Sequence, residues 1–206
     1  NTPEVRDTAA IIREGFANHS VESLADLLKH VDMRLRVRAQ WEMAERGMSG
    51  AESLRSAAEG DHQLARLHGV WGLGTMVRRG LVSRDMLHPI RILLHHDDSR
   101  TRAEAARVLG DVQDAEAVEP LIELAFDPEA RVAYQSLISL GKIGDSRAID
   151  AAAEVLWAMN ESDPWLRHAC VMALSGCASH DQLVALLGDA SPSIRLGAVL
   201  ALRRQQ

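Results

Sequence analysis

The sequence predicts an all-α chain, an α-α superhelix of about five to six stacked helical hairpins, and three observations predict it. Apolar residues make up 47% of the 206, with Ala and Leu dominant, while aromatics are only 3%; closely packed helices use that mixture, whereas strands favour β-branched and aromatic side chains. One pattern recurs: a turn with Asp, an Arg four to six residues later, then small or apolar residues three, four, six and seven beyond the Arg. Its anchors, Arg38, Arg66, Arg102, Ala133, Arg167 and Arg195, are 28, 36, 31, 34 and 28 residues apart, the spacing of a helical-hairpin repeat.

Taken in order, residues 1–16 read as one capping helix beginning after Thr2, and residues 20–206 as the repeats. Each hairpin opens with an amphipathic stretch: VESLADLLKH, AESLRSAAEG, LHPIRILLHH, AVEPLIELAF, AIDAAAEVLWAM and DQLVALLGD. Each anchor then marks a second helix, because offsets of three, four and seven share one helical face and small residues on it let another helix come close. Ser20, Asp32, Ser49, Asp61, Asp98, Asp114, Ser162 and Ser191 stand where N-caps are needed. Gly47, Gly80, Gly110, Gly141 and Gly188 are the expected stops. Pro128, Pro164 and Pro192 suit the first turn of second helices, and Pro89 and Pro120 predict first helices that start late or bend.

A single hairpin of this size cannot bury its own apolar stripe, so neighbours must stack; with no linker breaking the series, residues 1–206 read as one repeat domain. The chain begins without Met and ends inside a helical pattern, which reads as a piece of a longer protein. A net charge of −6 gives no overall positive field for a phosphate backbone, so nucleic acid is disfavoured. No apolar run approaches the roughly 20 residues that cross a bilayer. The two cysteines, Cys170 and Cys177, lie in one repeat and form no disulfide framework. Phosphate loops, nucleophile elbows and paired catalytic carboxylates are missing, and no cofactor is called for.

The segments DDSRTRAEAARVLGD and DASPSIRLGAVLAL resemble the short HEAT-like repeats first noticed in phycobilin lyases. The resemblance spans residues 20–206 and implies a fold; it leaves activity open, because function does not follow from fold. Ala133 departs from it where an Arg is usual. The stretches LADLLKHVDMRLRVRAQWEMAERG and LARLHGVWGLGTMVRRG look like the HEAT section of very large planctomycete and verrucomicrobial proteins, between a dehydrogenase-like propeller and a cytochrome c domain. That narrower resemblance implies an exported or periplasmic spacer or docking segment. Deoxyhypusine hydroxylase, also HEAT-like, holds metal on His-Glu pairs, and this chain has no His-Glu dipeptide. HEAT-like folds also include DNA glycosylases and bilin lyases, a remote alternative.

Candidate sites follow from residue type and position. His88, His95 and His96, with Asp97 and Asp98, are the densest group of potential metal ligands, yet their spacing fits a polar helix end and a capped turn better than any ligand motif. Cys170 occupies the small position held elsewhere by Ala105 and Ala198, which makes it a core residue. The arginines Arg38, Arg66, Arg102, Arg167 and Arg195 recur with upstream Asp32, Asp61, Asp98, Asp163 and Asp189, and read as a structural Asp–Arg ladder tying adjacent turns. Arg38, Gln40 and Trp41 with Arg66, His68 and Trp71 form the best candidate contact surface, since Trp and Arg are enriched where binding energy concentrates. The glycines of GVWGLGTM imply close helix packing. The expected activity is that of a non-catalytic scaffold for a protein or peptide partner.

Overall fold

A computed structural model describes residues 3–159 and 162–206, which contain thirteen α-helices and no strand. The chain divides into two compact units between Ile92 and Leu93. The first holds α1 (Pro3–Glu14), α2 (Val21–Leu27), α3 (Met33–Glu45), α4 (Met48–Glu59), α5 (Gln63–Arg78) and the short α6 (His88–Ile92). In the second, α7 (Ser99–Asp111), α9 (Ala130–Ile143), α11 (Pro164–Cys177) and α13 (Pro192–Arg204) are the second helices; α8 (Val118–Leu124), α10 (Ala148–Met159) and α12 (His180–Leu186) are first helices. All six predicted first helices and all six second helices are present. Thr2, where the capping helix was to begin, lies outside the described residues.

Within each unit, second helices pack on one another and on their own first helices: α3 on α5 and α4 on α5 in the first; α7 on α9, α9 on α11 and α11 on α13 in the second. The seams between them are filled by fully buried leucines, Leu35, Leu54, Leu67 and Leu73 in the first unit and Leu109, Leu121, Leu137 and Leu174 in the second. Each contributes about 1.5–3 kcal/mol by leaving water, which short helices cannot obtain singly.

The punctuation is met in part. Ser20, Asp32, Asp98 and Ser191 cap their helices through the side chain as expected, and Pro164 and Pro192 occupy first-turn positions. Elsewhere the cap is shifted: α4 starts after Gly47 and not at Ser49, α5 is capped by His62 and not Asp61, and α11 by Asp163 and not Ser162. Asp114 precedes a 3-10 turn, Ala115–Ala117, and Pro128 stands just outside α9. Pro89 and Pro120 do delay their helices, since a 3-10 turn leads into both α6 and α8.

Gly110 and Gly141 lie inside α7 and α9, not after them. A Cβ on Gly141 would sit 2.5 Å from the Met172 carbonyl oxygen, and one on Gly176 of α11 would collide with the Gly141 carbonyl; these glycines let the α9 and α11 backbones touch. The left-handed residues that end α7 and α9 are instead Gln113 (φ 52°) and Gly144 (φ 80°). In α5, a Cβ on Gly69 would lie 2.5 Å from the Leu54 carbonyl oxygen, so GVWGLGTM is a packing surface against α4.

Candidate functional site

The six residues of the N-terminal patch differ in exposure, with Arg38 and Trp41 exposed and Trp71 half-buried. Gln40, Arg66 and His68 are buried, whereas Trp41 is 62% exposed. His68 sits on α5 facing α3, where its Nδ1 is 2.7 Å from Gln40 Oε1 and its Nε2 is 3.1 Å from Arg36 Nε. A guanidinium can only donate, so Nε2 must carry a lone pair, and the ring is then neutral with Nδ1–H donating to Gln40. Burial, reinforced by the Arg36 charge, pushes the imidazole down to about 4. The edge of the ring meets Trp71 in a T-shaped contact at 4.9 Å. Gln40 and His68 therefore join α3 to α5 and are not presented to a partner.

Arg36 is the residue that position-by-position reading missed. Its Nη1 donates to the carbonyls of His30 and Val31, six and five residues upstream, at 2.6 and 2.8 Å. Arg102 does the same to His96 and Asp97, Arg195 to Asp189 and Ala190, and Arg66 Nε to Gly60. Each stands four residues beyond the N-cap of its second helix, at Asp32, His62, Asp98 and Ser191, and Arg167 holds that place relative to Asp163. In the first repeat that place is Arg36, and Arg38 lies exposed two residues on. The signal was available: counting four from Asp32 gives Arg36.

The bonds of these arginines run chiefly to backbone carbonyls, so the recurring aspartates have other work. Asp32, Asp98 and Asp163 are N-caps, Asp61 is exposed beside its N-cap, and Asp189 accepts the Ser191 amide N–H at 2.7 Å. His30, His96 and Asp127 repeat that last device, each accepting the N–H of the residue two further on at 2.9 Å. One arginine does pair with a carboxylate: Arg102 Nε and Nη2 reach Asp127 of the following repeat at 2.8 and 3.1 Å. That repeat has buried Ala133 at the arginine position, so Arg102 supports its turn from the repeat before.

Among the described residues, no three His, Cys, Asp or Glu side chains gather as a metal site. His88 and His95 are exposed, and His96 Nδ1 is engaged by the Asp98 N–H. Cys170 and Cys177 are buried free thiols. Burial pushes them up to about 12 and about 11, the nearby Asp145 charge adding to the shift of Cys177, the reverse of what a nucleophilic thiolate requires.

Stacked helical hairpins with a recurring arginine–carbonyl clamp give the chain a HEAT- and armadillo-like helical-repeat fold. Residues 87–175 match the HEAT repeat family. Solved structures agree over nearly the whole length. An engineered protein superposes with a TM-score of 0.59 at 20% identity, covering 91% of this chain and 96% of its own. A designed armadillo repeat protein gives 0.55 at 12%, covering 91% and 100%. The archaeal HEAT-like repeats protein from Thermococcus onnurineus NA1 gives 0.54 at 16%, covering 91% and 80%. No curated protein matches the chain in sequence. Among the described residues, no helix is long and apolar enough to cross a membrane.

Proposed function

We propose that this chain is a non-catalytic scaffold that binds protein or peptide partners on the exposed faces of its second helices. The observation that carries it is the placement of tryptophan. Of the four Trp in the chain, Trp41 on α3 and Trp165 on α11 are 62 and 75% exposed on second helices, while Trp157, also exposed, stands on the first helix α10. A large aromatic left in water costs free energy that a partner recovers by covering it, and Trp is the residue most enriched at binding hot spots.

Trp41 narrows the N-terminal contact surface. It borders a hollow of about 410 Å³ between α3 and α5, shared with Glu45, Thr75, Arg78 and Arg79, where Arg79 pairs with Glu45 at 2.6 Å. The contact residues there are Trp41 and this charged rim, while the Gln40–His68 bond joins the two helices that carry them. Burial that raises both thiols weighs against thiolate catalysis at Cys170 or Cys177.

A photo-crosslinking amino acid placed at Trp41 or at Trp165 in the native host tests this. A discrete protein adduct from either position, with none from a crosslinker at exposed Glu52, is the expected result. Folded protein giving no protein adduct from both positions would reject the scaffold.

A further inference from the structure

The second unit carries two hollows on either side of α11, and together they select one kind of ligand. Between α9 and α11, a hollow of about 370 Å³ is walled mainly by carbon from Ala130, Tyr134, Trp165 and Leu166. Its two charged neighbours are engaged: Arg131 donates to Glu104 at 2.8 Å, and Asp163 accepts the Trp165 and Leu166 N–H groups as the cap of α11. What remains open there is an apolar seat with a tryptophan at its edge.

Between α11 and α13 lies the second hollow, about 400 Å³, where Arg167 and His168 of α11 face Arg203 and Arg204 of α13 over Val171 and Leu200. No acidic side chain lines it among the described residues. In a chain with 29 acidic and 23 basic residues, a recess with three arginines and no carboxylate inverts the local balance. The C-terminal dipole of α13 accounts for cations in its last turn and the clamp position accounts for Arg167, but neither accounts for His168 joining them from the neighbouring helix.

From these hollows we infer that the α9–α11–α13 face docks an acidic peptide segment that carries one large apolar side chain. This rests on the scaffold function proposed above and specifies its ligand. The apolar side chain seats against Trp165 and Tyr134, and Asp or Glu side chains meet Arg203, Arg204 and His168 across α11. Neighbouring helix axes are about 8–10 Å apart, and an extended peptide advances about 3.3 Å per residue. The anchor and the carboxylates are therefore about three residues apart. A nucleic-acid strand is the poorer fit, because the basic recess is confined to one helix pair while the chain as a whole is negative and would repel a long polyanion.

Selection of a displayed random peptide library on the immobilised full chain provides the test. Enriched peptides should hold Leu, Phe or Trp about three positions from Asp or Glu. Binding of the leading peptide should weaken by roughly tenfold or more in Trp165→Ala and in the double variant Arg203→Glu, Arg204→Glu, weaken with salt, and persist in Trp157→Ala, with thermal melts confirming that each variant folds. No enrichment, enriched peptides without acidic residues, or binding indifferent to the Trp165 and Arg203/Arg204 changes would overturn it. Peptides lost only on Trp41→Ala would overturn this assignment while leaving the scaffold function standing. Tighter binding of a single-stranded oligonucleotide, weakened by the same charge reversals, would overturn it in favour of nucleic acid.

Discussion

At the scale of single residues, a shift of two positions separates a structural arginine from a surface one. Arg36 is buried and bonded to two carbonyls and His68, and Arg38 is exposed. Arg36→Ala is expected to cost about 2–3 kcal/mol, because the buried His68 Nε2 and two turn carbonyls lose a charged donor, while Arg38→Ala stays within about 0.5 kcal/mol; urea unfolding of both variants distinguishes them. His68 makes stability depend on pH. Its folded pKa of about 4 lies below the usual 6.5, so between those values the unfolded chain binds the extra proton. The neutral ring's contribution is fully present above about pH 6.5 and is lost as pH falls towards 4, at up to about 1.4 kcal/mol per pH unit. Comparing denaturant midpoints of wild type and His68→Leu across that window isolates it: the variant is less stable at pH 7 and its acid limb is shallower.

At the scale of elements, helix identity was legible throughout and helix edges only in part. Apolar periodicity located twelve repeat helices because burial of a stripe is a property of many residues at once. Ser49, Asp61 and Ser162 were misplaced as caps because each has another acceptor or a left-handed glycine within two residues, and only the backbone path chooses between them. Gly110 and Gly141 were read as stops because glycine favours helix ends, yet their role is the close approach of α7, α9 and α11, which depends on residues some 30 positions away. Gly176→Ala should therefore force α9 from α11 and cost about 1–3 kcal/mol by overpacking. Gly188→Ala, beyond the end of α12, should cost less, since the added methyl would come no nearer than 3.5 Å to its closest neighbour, the Ala185 carbonyl oxygen. Thermal melts of the two variants compare them directly.

At the scale of the whole molecule, stability in a repeat array comes from nearest-neighbour seams, so a terminal helix with one seam opens first. Of the described side chains of α1, Thr8 is the buried one, while α5 and α9 are lined with buried residues on several sides. Amide hydrogen exchange should run fastest in α1 and slowest in α5 and α9; equal protection throughout would mean that the chain unfolds as one block. The candidate site was legible only in outline at this scale. Trp41 was found from its repeat position, but the hollows flanking α11 were not, since Tyr134, Trp165 and Arg203 are far apart in sequence and belong to three different helices.

Composition and periodicity alone specify an all-α chain whose helices come in pairs at a near-regular period, with an arginine near the start of each second helix at an anchor position that Ala133 holds in the fourth. Those are local properties, written in offsets of three, four and seven and in the spacing of turns. Packing between repeats settles which arginine enters the turn, which glycines end helices and which join them, that Gln40 and His68 are bonded inside while Trp41 and Trp165 face water, and that Arg102 serves the repeat after its own. The physical reason is that exposure and hydrogen-bond partnership are set by what the neighbouring repeat places opposite a residue, and that information lies about thirty residues away along the chain.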